Sequence, residues 1–236
     1  MMAEKIKDGI WSVGILNPSL RVFDIIMSTE YGTSYNSYIV KGTEKTALVE
    51  CTHLTYFDRY LENIRQVCDP SEIDYLVLNH NEPDHAGGVA RLLELNPNME
   101  IVCSQAGSIY IKNITNRTDL KLHVVKDGEE ISLGGRTLKF LVAPFLHWPD
   151  SMFTWVPEDK TLFPCDFLGG HYCEPFTFDY NIARPEAYES SFKGYYDAIF
   201  GPFPTYVQKG LEKIKDLDIE MVCPSHGPCL VEGISR

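Results

Sequence analysis

The sequence is short of positive charge and of any feature that would direct it to a membrane or a polyanion. Lys and Arg number 21 against 33 Asp and Glu, giving a net charge of −12. That balance excludes the basic face required by nucleic acids and anionic bilayers. No apolar run approaches the length of a membrane span, and the opening "MMAEKIKDGIW" has no signal-peptide pattern. The seven cysteines form no Cys-x-x-Cys pair, and their odd number reads as reduced thiols in a cytoplasm. Internal repeats, low-complexity tracts and linkers are also missing. What is present is a chain of 236 residues, 44% apolar and 23% charged. It is long enough to bury a sizeable core, and a single domain over residues 1–236 is expected.

Strand-like segments open the chain: "IWSVGIL", "LRVFDIIM", "SYNSYIV" and "TALVEC", broken by Pro18, Gly32 and Gly42. "HLTYFDRYLENIRQV" has apolar residues at helical spacing, with Thr52 as its expected N-cap. "DYLVLN" and "MEIVCS" read as buried strands, "AGGVARLLEL" as a helix ending at Asn96-Pro97, and "AGSIYIKNIT" as a short helix. The second half repeats this order of types. "LKLHVV", "EEISL" and "TLKFLVAP" are strands, and "MFTWVP" and "TLFPCD" form a hairpin around "PEDK". Helices then cover "RPEAYESSFKGYYDAIFG" and "PTYVQKGLEKIKDL", interrupted at Gly201-Pro202, before a last strand "EMVCPSH". Strands, helices, strands, helices imply two sheets stacked between helical layers.

Four of these strands run into good metal ligands: His80, His147, Asp166 and His226. Ligands in open α/β sheets gather beyond strand carboxyl ends, so residues distant in sequence can converge there. The stretch "HNEPDH" adds Glu82, Asp84 and His85. Two residues apart on extended backbone, His80 and Glu82 point to one side, and Pro83 holds Glu82 extended. Four imidazoles and three carboxylates exceed the needs of one tetrahedral zinc. They divide into two centres, His80, Glu82 and His147 in one, Asp84, His85 and His226 in the other, with Asp166 bridging. Each centre then has two imidazoles and one terminal carboxylate, the ligand set of non-haem Fe(II) sites with open positions.

At these residues the chain resembles the flavodiiron proteins of the metallo-β-lactamase superfamily. "HNEPDH" fits their H-x-E-x-D-H motif, in which Glu82 takes the place of the middle His of the zinc-hydrolase pattern H-x-H-x-D-H. "HWPDSMFTW", "CDFLGGH", "PSHGP" and "GTSYNSYIV" match further family motifs, so the likeness runs over nearly the whole chain. It implies an α/β fold of the metallo-β-lactamase αββα sandwich type, two mixed sheets between helical layers. It also implies a pair of iron ions on the ligands above, and a homodimer. Two departures stand out. The family's flavodoxin domain and its FMN have no counterpart before the chain stops at Arg236, and there is no glycine-rich phosphate loop. A pocket histidine of the family falls within "RVFDIIM", where Asp24 or Ile25 replaces it.

His171 matches the histidine that follows the bridging aspartate in the family and is a candidate to orient a ligand or bound oxygen. Glu50 is a candidate acceptor for a ligand imidazole, and Tyr195 with Tyr196 sits on a helix near the family's pocket. Strand alternation should turn Cys165 away from the metals, and His53 and His123 read as structural. Within the family the resemblance is greatest to stand-alone di-iron proteins associated with bacterial chemotaxis receptors. The expectation is therefore an oxygen or iron sensor that binds dioxygen as a diferric-peroxo adduct and signals through a chemoreceptor–kinase assembly. The alternative is an O2 or NO reductase served by a separate flavoprotein or rubredoxin as electron donor. A zinc hydrolase ranks third, and Glu82 argues against it.

Overall fold

The computed structural model describes residues 2–235. Its β-branched and aromatic runs assemble into two main sheets. One has seven strands in the order Glu4–Lys7, Ile10–Ser12, Tyr38–Lys41, Thr46–Val49, Tyr75–Leu78, Glu100–Cys103 and Leu122–Val124. Pairing is antiparallel as far as Thr46–Val49 and parallel beyond it. The other sheet has five strands, Glu130–Ser132, Thr137–Val142, Met152–Val156, Thr161–Phe163 and Met221–Val222, antiparallel except for the last pair. Both sheets are mixed, as expected.

The core between the sheets is built from inward residues of both, among them Val40, Val49, Val77, Phe140, Met152 and Phe163. Helix Phe57–Arg65 covers the outer face of the first sheet through Phe57, Tyr60, Leu61 and Ile64, the i, i+3, i+4, i+7 stripe visible in the sequence. Helices Val89–Leu95 and Gly107–Thr115 join it there. Helices Pro185–Ile199 and Pro204–Ile214 cover the second sheet, each with proline in its first turn, where the missing N–H is no loss. The result is the αββα sandwich. The sheets lock together at Gly42, where a Cβ would stand 1.9 Å from the Leu133 carbonyl oxygen. That carbonyl accepts from the N–H groups of both Glu44 and Lys45 at 3.0 Å.

Several local expectations are corrected. "IWSVGIL" and "SYNSYIV" each split in two, because Ile15–Asn17 and Thr33–Tyr35 leave the large sheet and pair with each other. This ribbon carries Thr33 and Ser34 toward His171 and His226. "LRVFDIIM" is a small hairpin, Val22–Phe23 against Met27–Ser28, and its turn places Asp24 and Ile25 at positive φ. Thr52 caps nothing. The chain first makes a 3-10 turn at Leu54–Tyr56, capped by His53, whose Nδ1 accepts from the Thr55 N–H.

Candidate metal centre

The strand Tyr75–Leu78 ends two residues before His80, and Glu82 holds extended backbone at φ −61°, ψ 145°. Pro83 then starts a single helical turn, Pro83–Ala86, that carries Asp84 and His85. His147 lies on the loop joining Thr137–Val142 to Met152–Val156, Asp166 follows Thr161–Phe163, and His226 follows Met221–Val222. All seven predicted residues come together in the fold.

They form two clusters around one carboxylate. In the first, Glu82 Oε2 is 3.2 Å from His80 Nε2 and 3.3 Å from His147 Nε2, and Asp166 Oδ2 is 3.2 Å from His147 Nε2. In the second, Asp84 Oδ2 is 3.1 Å from His226 Nε2, and Asp166 Oδ1 is 3.0 Å from His85 Nε2 and 3.4 Å from His226 Nε2. Asp166 therefore turns one oxygen to each cluster. Among the buried atoms, both oxygens of Asp84, Asp166 Oδ1 and His85 Nε2 have no hydrogen-bond partner despite these short separations. Buried polar atoms left unpaired cost roughly 1–3 kcal/mol each. In the second cluster these unpaired atoms face shared space, as a cation requires, while in the first His80 Nε2 pairs with Glu82 Oε2 and His147 Nε2 with Asp166 Oδ2, both at 3.2 Å, and a metal would replace the shared protons. The donor set fits two metal ions.

The supporting groups fix the imidazole tautomers. His226 Nδ1 is 2.6 Å from the Ser34 carbonyl, which can only accept, so Nδ1 carries the proton and Nε2 is free for a metal. His80 Nδ1 donates in the same way to Asp150 Oδ1 at 3.1 Å. Asp150 is wholly buried, and its other oxygen accepts from the backbone N–H of Asn81 at 2.8 Å and its side chain at 2.9 Å. Asp150 was not singled out in the sequence. Its one signal is its place three residues after His147, within "HWPD".

Without metal, protons take the place of the cations. Burial pulls the His80 and His85 imidazoles down, but the surrounding carboxylates outweigh it. His85 is held at about 10, and His80 well above its ordinary value by Asp150 and Glu82. Burial raises Glu82 and Asp166, and the facing imidazoles more than reverse this, leaving both low. His171 behaves oppositely: burial and the neighbouring His226 push it well down, so it is neutral.

The remaining candidates surround this centre. Thr33 Oγ1 lies 2.8 Å from His171 Nδ1, while His171 Nε2 is buried without a partner. The His171 ring packs on His226 at 4.6 Å and meets Tyr195 edge-on at 4.8 Å. With Tyr195 and Ile26 it lines a cleft of ≈ 450 Å³. Burial, then the charges of Asp166 and Asp84, keep the Tyr195 phenol protonated. Tyr196 is 37% exposed and is not among the residues lining that cleft. Of the two residues at the replaced position, Asp24 is the one beside the centre: its carboxyl is raised to about 6, by partial burial first and then by a hydrogen bond with Glu82. Ile25 is 94% exposed and turns away.

Two expectations fail here. Glu50 reaches no imidazole; its Oε1 accepts from the Asn79 N–H at 3.1 Å, and Oε2 is unpaired. It sits at φ 61°, past the end of its strand, where the regular strand direction no longer holds. Cys165 does not point away from the site. Its φ of 55° breaks the alternation, and its Sγ falls in one group with ligand atoms of His85 and Asp166. His53 and His123 are structural, as expected; His123 Nε2 pairs with Glu129 at 2.6 Å.

Residues 33–227 match the family model "ODP family beta lactamase". Flavo-diiron protein FprA2 of Clostridium acetobutylicum is 57% identical over 236 residues, covering 99% of this chain and 59% of that protein. A nitric oxide reductase of Moorella thermoacetica is 38% identical over 225 residues, 94% of this chain and 56% of that protein. Rubredoxin oxygen:oxidoreductase from Desulfovibrio gigas superposes with a TM-score of 0.93 at 34% identity, over 97% of this chain and 57% of that one. The chain thus spans somewhat over half the length of these relatives.

Proposed function

Because this chain belongs to the flavodiiron family of metallo-β-lactamase-like proteins, we propose that it holds two iron ions and reduces O2 or NO with electrons from a separate redox protein. The observation that carries this reading is Asp166, with one oxygen in each ligand cluster. Glu82 supplies an oxygen where the zinc hydrolases have an imidazole, and harder ligands favour iron over zinc. Two of the relatives described above have names that state an activity, a nitric oxide reductase and a rubredoxin oxygen:oxidoreductase. None of those relatives is named as a sensor or chemotaxis protein, so the reductase alternative now stands ahead of the sensor.

The seven residues would hold two ferrous ions, which when bound would supply electrons and open coordination positions for a small diatomic. The chain's own residues hold and screen them. Ser34 and Asp150 lock His226 and His80 in the metal-binding tautomer. Asp166 fixes the spacing of the two clusters. His171, neutral and anchored by Thr33, narrows the pocket together with Tyr195, whose phenolic proton stays at Oη. Asp24 presents a carboxyl beside Glu82. A single domain over 1–236, a homodimer and a cytoplasmic location belong to the same proposal; among the described residues no helix is long and apolar enough to cross a membrane.

The test is anaerobic loading with Fe(II), then addition of O2 or NO with chemically reduced rubredoxin. Two irons per chain and repeated turnover are expected. Uptake of one O2 per chain that is held without turnover, in the presence of the donor, would overturn the reductase and restore the sensor.

A further inference from the structure

The loop that carries His226 is bracketed by two cysteines in "CPSHGPC", Cys223 to Cys229. The backbone makes them partners. Val222 and Leu230 exchange both hydrogen bonds, N–H to O=C at 2.9 and 2.8 Å, across an isolated antiparallel bridge. The next pair inward, Cys223 and Cys229, is then a non-hydrogen-bonded pair. Such pairs have the closer Cα separation, about 4.5 Å, with side chains on one face. The N–H groups agree: Cys223 donates to Leu162 and Cys229 to Thr177, each away from the other. Both side chains enter the core between the sheets, each 1% exposed. A disulfide needs Cα atoms roughly 4.4–6.8 Å apart, a range that includes the usual spacing of a non-hydrogen-bonded pair, and the two thiols are in side-chain contact. Tyr38 holds the loop in place. Its hydroxyl donates to the Pro224 carbonyl at 2.7 Å, so the Cys229 thiol 3.6 Å away is the donor to Tyr38 Oη.

We propose that Cys223 and Cys229 form a redox dithiol that a hydroperoxide closes to a disulfide, tying together the base of the His226 loop. One thiol, as thiolate, attacks a peroxide oxygen; the O–O bond breaks, a sulfenic acid forms, and the thiol proton leaves in water. The second sulfur attacks the sulfenic sulfur; the S–O bond breaks, the S–S bond forms, and a second water departs. Two electrons pass from the sulfurs to hydrogen peroxide. Burial raises the Cys223 thiol, so closure is slow at neutral pH and quickens with alkalinity. The closed form restrains opening of residues 224–228, the motion by which His226 would release a metal. This consequence rests on the proposed role of His226, whereas the disulfide does not.

The metal-loaded protein is treated with hydrogen peroxide, denatured, alkylated and weighed. Two of the seven thiols are expected to escape alkylation, with the mass of two hydrogens lost and recovered by dithiothreitol. The peptide containing residues 223–229 carries the change. Cys223→Ser and Cys229→Ser each abolish it. If neither variant folds, the wild-type peptide map decides alone. Seven alkylated thiols, or a disulfide between other cysteines, would overturn the proposal. Zinc release to a chelator is expected to be severalfold slower from the closed form; equal rates would remove the link to the site while leaving the iron reading intact.

Discussion

Replacing Asp150 tests the site away from its ligands. In Asp150→Ala, His80 Nδ1–H, the Asn81 N–H and the Asn81 side-chain amide all lose a buried acceptor. At about 1–3 kcal/mol per orphaned donor, the loss approaches the whole stability of a domain of this kind. Asp150→Asn is the better probe, because it keeps the volume and one acceptor oxygen. Its amide cannot serve every donor, and it no longer favours the metal-binding tautomer of His80. Loss of such a supporting carboxylate typically weakens metal binding about 10- to 100-fold, roughly 1.4–2.7 kcal/mol. Chelator competition for Co(II) measures this directly. An unchanged affinity at the metal of the His80, Glu82 and His147 cluster would refute the reasoning, since the His80–Asp150 contact is the only hydrogen bond found at His80 Nδ1 among the described residues. The pH dependence follows from opposite shifts. Burial raises Asp150, but His80 and Asn81 outweigh it and leave the carboxyl low. Its contribution is present above the ordinary carboxylate value and is lost as pH falls through the depressed one. His80 is raised, so its contribution to the metal-free protein is full below about pH 6.5 and is lost as pH rises through the raised value. Asp150→Asn should therefore flatten the stability–pH curve of the metal-free protein at both ends.

Metal uptake near pH 8 should release protons, because His85 is held at about 10 and His80 well above its ordinary value in the metal-free site. Calorimetry in two buffers of different ionisation enthalpy reads the number, and buffer-independent heats would contradict it. Glu50, buried and raised to about 7, costs the metal-free protein stability as pH rises from about 4.5 through 7, by roughly 3 kcal/mol. Glu50→Gln should remove that slope and stabilise the metal-free form at pH 8, as seen in urea melts; a wild-type slope in the variant would show that Glu50 is not its source. Gly42→Ala should lower stability by about 3 kcal/mol or more, since the new Cβ meets the Leu133 carbonyl carbon and oxygen. An unchanged thermal midpoint would mean that the contact between the sheets yields without cost.

The sequence by itself determined which seven residues the candidate site brings together and much of the order of elements. "HNEPDH" encodes its own local geometry, because Pro83 extends Glu82 and begins the turn that carries Asp84 and His85. The apolar stripe of "FDRYLENI" likewise needs no context to read as a surface helix. Tertiary structure decided what depends on long-range approach. Asp150 is an acid after a loop until the fold brings it beneath His80, 70 residues away. Ser34 supports His226 only because Ile15–Asn17 and Thr33–Tyr35 leave the large sheet to pair. Positive φ at Cys165 reversed the side-chain direction that strand alternation implied, since period two holds only while the backbone stays extended. Composition and periodicity are properties of neighbours in the chain. Which carbonyl meets which imidazole is set by how two sheets pack, and no local pattern records it.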